Sequence, residues 1–218
     1  MFHGWGEFLL AFAVFFLSHS LPVRPNVKGR IVRRIGPVGF TLAYSLLSLF
    51  VLGWVIVAAG RAPVVLLWGW APWQNLVPLL GMALASGITA LALGRPNPLS
   101  FGGARNDRFD PAAPGIVGWV RHPILAALLL WSGAHIVPNG NLAHVILFGS
   151  FAGFSLLGMR LIDRRKRRTL GDDWARLAAT SRNIQPTAWG MVRLGLAALT
   201  YVALLFAHLP VIGVWPLL

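Results

Sequence analysis

RHPILAALLLWSGAHIVPNGN, residues 121–141, decides the fold. It reads as an uncharged apolar helix with Arg121-His122-Pro123 at one end and His135 near the other. Proline suits the first turn of a helix, because its missing N–H has no intrahelical partner there in any case. Pro138-Asn139-Gly140-Asn141 then supplies the turn chemistry that ends the helix. His122 and His135 stand about 20 Å apart at roughly 1.5 Å per residue. At about 100° per residue they fall on different faces, so these two imidazoles cannot serve one metal together.

The composition says what surrounds such a helix. Of 218 residues 56% are hydrophobic and only 11% charged, with mean hydropathy +0.68. A soluble domain carries about a quarter charged residues, and several runs here reach the roughly 20 apolar residues that cross a bilayer. The chain reads as all-α: a polytopic membrane helix bundle of about six transmembrane helices, forming a single domain over residues 1–218. The first apolar run lacks the basic leader and small-residue cleavage site of a signal peptide and reads as a retained span. The net charge of +13 would suggest nucleic acid in a soluble protein. Here it reads as basic loops on one membrane face, with the lipid bilayer as partner and no nucleic acid. The absence of cysteine excludes disulfides, thiolate ligands and haem attached through Cys-x-x-Cys-His.

The six spans fall at Trp5–Leu21, Val38–Ala59, Leu76–Leu93, Trp119–Val137, Leu142–Ile162 and Trp189–Leu209. A basic hairpin, Val23–Arg34, follows the first. A connector rich in Pro and Trp, Arg61–Trp73, follows the second. The fourth and fifth form an antiparallel hairpin because the turn between them is short. Asp163 and a basic run close the fifth, and an amphipathic segment, Leu170–Ser181, leads to the sixth. The loops after spans one, three and five, counting Arg121, Arg160 and Arg193 at the span ends beside them, hold every Lys and Arg of the chain except Arg61. By the positive-inside rule those loops are cytoplasmic and both termini lie outside the cytoplasm.

That topology sorts the histidines by depth. His19 and His122 lie toward the cytoplasmic face; His3, His135, His144 and His208 lie toward the other. Histidines on different helices at similar depth can ligate one haem b, and the outer group could hold copper, zinc or a second haem. A histidine at a span end is also satisfied simply by hydrating its polar edge. That reading is the stronger for His3, His144 and His208. His19, His122 and His135 are the ligand candidates, since ionisable groups within spans are costly to keep without a role. Glu7 pairs by helical spacing with His3, and Asp163 with Arg160 or Arg167. The basic run after Asp163 sets topology and contacts anionic lipid.

Ser18-His19-Ser20 before Pro22-Val23-Arg24, Tyr44-Ser45, Ala71-Pro72-Trp73, Pro96-Asn97-Pro98, Arg121-His122-Pro123, Ala134-His135 with Asn139-Gly140-Asn141-Leu142, and Gly158-Met159-Arg160-Leu161-Ile162-Asp163-Arg164-Arg165 together resemble the NnrU family of membrane proteins. The resemblance runs over nearly the whole chain. It implies a bacterial inner (cytoplasmic) membrane protein linked to denitrification and nitric-oxide respiration, with a respiratory reductase or oxidase complex as a possible partner. A related family, the 15-cis-zeta-carotene isomerases, is similar in its histidine-bearing helices and uses haem b held non-covalently by histidines. Carried over by position, that likeness makes His19 and His122 the metal ligands, with His135 in reserve and Arg121 beside the cofactor.

The Arg-His-Pro also resembles that of isoprenylcysteine-type membrane methyltransferases. There it is followed by an acidic residue and a Gly-acidic-acidic-aromatic stretch, as are Asp163 and Gly171-Asp172-Asp173-Trp174 here. That likeness implies S-adenosylmethionine as an alternative cofactor. Leu125 stands where those enzymes have a tyrosine, and their glutamate pair near Asp163 is absent. A third alternative is a non-enzymatic assembly factor for a respiratory reductase.

Overall fold

The computed structural model describes residues 4–183 and 185–217. It is all-helical, 73% helix, with seven α-helices among the described residues: α1 (Trp5–Ser20), α2 (Pro25–Arg61), α3 (Leu76–Ala92), α4 (Pro123–Ile136), α5 (Leu142–Leu170), α6 (Asp172–Ala178) and α7 (Ala188–Ile212). The chain divides into two compact units, Met1–Trp68 with Gly140–Leu147 and Gly69–Asn139 with Phe148–Leu218.

In the first unit α1 and α2 pack antiparallel. Early residues of α1 meet late ones of α2: Trp54 Nε1 donates to Glu7 at 3.3 Å and Arg61 lies 3.5 Å from the same carboxylate. Glu7 thus pairs with Arg61; His3, its expected partner, lies outside the described residues. The late end of α1 meets the earlier part of α2, where Tyr44 Oη donates to the His19 carbonyl at 3.5 Å. Phe8, Ala11 and Phe12 from α1 and Val51, Val55, Ala58 and Ala59 from α2 are buried. The basic stretch expected as a hairpin is helical, starting at Pro25 as helices favour. It breaks from the apolar remainder at Gly36, φ 74° and ψ 169°. The following Pro37 disfavours α geometry there, and only glycine adopts that φ without strain. After α2 the chain runs extended beside the turn at Gly140: Leu67 N donates to Gly140 O at 2.8 Å and Leu142 N to Val65 O at 2.9 Å.

In the second unit α3 packs against both α4 and α7. Gly81 lets α3 approach α4 closely, since a Cβ there would come within 2.7 Å of Ala134 Cβ. Arg193 of α7 donates to the carbonyls of Ala90 and Leu93 at 2.7 and 2.8 Å, satisfying the C-terminal end of α3. Trp131 of α4 meets Phe148 and Phe151 of α5 edge-on, both at 5.4 Å between centroids.

Four helical segments are long and apolar enough to cross a membrane: Pro25–Arg61, Pro72–Ala92, Leu142–Leu170 and Ala188–Ile212. Their exposed side chains include Leu46, Phe50, Leu80, Leu199 and Phe206, as lipid contact requires. This is a membrane protein. The other two expected spans contain shorter helices, α1 of 16 residues and α4 of 14. These are roughly 24 and 21 Å long against a hydrocarbon core of about 30 Å. Helix α4 begins at Pro123 rather than Trp119, because Gly115–Gly118 forms a 3₁₀ turn and His122 takes non-helical angles, φ −115° and ψ 67°. Helix α5 continues past Ile162 through the basic run to Leu170; Arg and Lys are good helix formers.

Candidate functional site

The polar groups of the second unit converge where α4 begins. The loop before it is braced by Asn97, whose Nδ2 donates to the Arg121 carbonyl at 3.0 Å and whose Oδ1 accepts from Leu99 N at 3.1 Å. Its own N–H donates to Asn106 Oδ1 at 2.8 Å. This bracing brings Ser100 against His122, and all three of Asn97, Ser100 and His122 are buried.

His122 precedes the first turn of α4, and both of its ring nitrogens are engaged. Nε2 lies 3.1 Å from Asp163 Oδ1 and Nδ1 lies 3.0 Å from Ser100 Oγ. A carboxylate only accepts, so Nε2 carries the proton and Nδ1 accepts from the serine hydroxyl. Arg121 Nη1 donates to the other carboxylate oxygen, Oδ2, at 3.0 Å. Asp163 therefore pairs with Arg121 and His122 across two helices, not along α5 with Arg160 or Arg167.

Helix α6 adds Trp174, whose ring lies under the Arg167 guanidinium at 4.3 Å and that of Arg121 at 5.4 Å. Its buried Nε1 has no hydrogen-bond partner among the described residues. The segment after α6 folds over the 3₁₀ turn: Ser181 N donates to Pro111 O at 2.9 Å and its Oγ to Ala112 O at 2.8 Å. Gly118 sits so close to the Ser181 carbonyl that no side chain fits. Beside it opens a cleft of about 230 Å³ lined by Val117, Gly118, Trp119, Arg121, Ala178, Thr180 and Arg182.

This arrangement can orient and hold a proton along Ser100, His122 and Asp163. It can also present cationic groups to an anion in the cleft. His122 would offer Nδ1 to a metal by releasing Ser100, with Asp163 still holding Nε2, or Nε2 by releasing Asp163.

His19 and His135 differ in this respect. His19, in the first unit, directs Nδ1 to the Phe15 carbonyl at 2.8 Å, with its ring stacked on Phe15 at 4.0 Å and edge-on to Tyr44. His135, in the second, directs Nδ1 to the Trp131 carbonyl at 2.7 Å and packs against the rings of Trp131 and Phe148. A carbonyl only accepts, so Nδ1 carries the proton in each neutral ring and Nε2 holds the lone pair. No described group bonds either Nε2. Fixing one ring nitrogen on a carbonyl is a common way to orient a metal-bound histidine, and each of these residues would hold a metal through Nε2. His208 is tied to the Val214 carbonyl at 2.7 Å. Among the described residues no three His, Asp or Glu groups gather for a protein-only metal site.

The sequence model of the family described as NnrU protein matches residues 7–216. The chain belongs to the NnrU family. No curated protein and no solved structure matches it. The span matched to NnrU takes in His19, Arg121, His122, His135 and Asp163 alike, so membership does not choose among them. Sequence reading of this NnrU protein missed Ser100, and it missed Asn97 as a brace. An asparagine between two prolines, followed by Leu99-Ser100-Phe101-Gly102-Gly103, was the available signal that this loop is built rather than slack.

Proposed function

We propose that this NnrU-family membrane protein binds haem b non-covalently and acts in nitrite and nitric-oxide respiration or in an isomerase-like redox reaction. One observation carries the reading: His19 and His135 each have Nδ1 fixed on the carbonyl four residues earlier, and no described group bonds the Nε2 of either. Bound at such a nitrogen, haem iron would supply a redox-active centre able to polarise a small ligand or a double bond. His122, bonded to Ser100 and Asp163 at the start of α4, would ligate iron only by releasing one of them; His19 and His135 fall toward opposite faces by the charge distribution, so each would hold a haem of its own rather than share one. The distribution of Lys and Arg supports six spans in a bacterial inner membrane, with basic loops cytoplasmic and termini periplasmic. The test is the haem content of the purified protein after haem-supplemented expression, measured as the pyridine haemochrome. Stoichiometric haem b supports the reading, and its absence removes it.

A second reading is favoured by a different observation. The three motifs that resemble methyltransferases, Arg121-His122-Pro123, Asp163 and the stretch ending in Trp174, meet in one place beside the cleft. The Arg121 and Arg182 guanidinium groups that line the cleft are donors suited to the carboxylate and other acceptors of S-adenosylmethionine. Titration calorimetry with S-adenosylmethionine separates the readings: saturable heat abolished by Arg182→Gln supports this one, and no heat at millimolar ligand eliminates it.

A further inference from the structure

We propose that residues 25–35, the first part of α2, form an amphipathic helix lying in the membrane surface, where its basic face binds anionic phospholipid headgroups. The first ground is the break at Gly36-Pro37. On a straight helix Lys28 and Phe40 would stand about 18 Å apart along the axis, further than their side chains reach. Lys28 Nζ nevertheless lies 5.4 Å from the centre of the Phe40 ring. The chain therefore turns at Gly36, and residues 25–35 do not continue the line of the apolar part of α2.

The second ground is the distribution of side chains. At about 100° per residue, Val27, Ile31 and Ile35 lie within about 80° of one another, while Arg30, Arg33 and Arg34 share a separate arc of about 100°. Val27 and Ile35 are exposed, as are the three arginines. Such a face is stable when it is sunk into the boundary between headgroups and acyl chains, with the cations level with the phosphates. Lys28, on the apolar side, can run its stem along that surface and keep its ammonium near the interface.

The third ground is charge. No Asp or Glu occurs between Glu7 and Asp107, and among the described residues no ion pair is made by Arg24, Lys28, Arg30, Arg33 or Arg34. Five cations with no protein anion fit the negative surface of an anionic leaflet, which attracts such clusters at short range.

The cysteine-free chain permits a direct test in the full-length protein. Single substitutions Val27→Cys, Ile31→Cys, Ile35→Cys, Arg30→Cys and Arg33→Cys are spin-labelled and reconstituted in phosphatidylcholine vesicles with or without phosphatidylglycerol. With phosphatidylglycerol, labels at 27, 31 and 35 should favour oxygen over an aqueous nickel chelate several-fold more than labels at 30 and 33. Raising the salt, or adding Arg34→Gln to any labelled protein, should reduce that contrast. Uniform aqueous access, or uniform lipid access, at all five positions would overturn the in-plane helix. A contrast identical in the two lipid compositions and insensitive to salt would overturn the anionic-headgroup assignment.

Discussion

Asp163 joins two helices through its two oxygens, accepting from His122 Nε2 at 3.1 Å on one and from Arg121 Nη1 at 3.0 Å on the other. His122 is buried and Arg121 half-exposed, so the carboxylate matters more to the imidazole than to the guanidinium, which water can solvate. Replacing Asp163 by Ala strands a buried N–H donor and should cost about 2 kcal/mol, read as a lower midpoint of thermal unfolding in detergent. Asp163→Asn keeps one acceptor and should cost less. Equal midpoints for all three proteins would contradict the bridge.

Trp174 separates packing from hydrogen bonding. Its ring carries two guanidinium groups, yet its buried Nε1 has no described partner. Trp174→Phe keeps a ring and deletes an unsatisfied donor, so unfolding should be unchanged or slightly later. Trp174→Ala loses the ring and should unfold earlier, by about 1–2 kcal/mol. A large loss in the Phe variant would mean that the N–H has an acceptor.

Two glycines mark close approaches. A Cβ at Gly81 would press on Ala134 and one at Gly140 on the Trp68 carbonyl oxygen. Small residues let helices in lipid come close, and overpacking costs about 1–3 kcal/mol. Gly81→Ala and Gly140→Ala should each lower the unfolding midpoint, whereas Gly53→Ala, with open space around it, should not.

The long apolar helices were legible because lipid demands a continuous run of one kind, and Pro123 marked the start of α4 where the helix begins. The basic stretch after α1 misled because charge density signals a loop, whereas Arg and Lys propagate a helix as readily as they end one. Asp163 misled because spacing along one helix offers only local partners. Its true partners, Arg121 and His122, are brought to it by packing of α4 on α5. For the same reason the sequence singled out His122 without revealing that Ser100 and Asp163 occupy both of its nitrogens. His19 stood level with it in the sequence and His135 stood in reserve on the other face; the bonds of their rings to backbone carbonyls were not legible there.

The central claim is tested most directly by the reduced-minus-oxidised optical spectrum of the purified protein and its His19→Ala, His122→Ala and His135→Ala variants, each expressed with added haem. A Soret band should be present in wild type, persist in the folded His122 variant and weaken or shift in the His19 and His135 variants. No Soret band in wild type, or a band lost only with His122, would contradict the account.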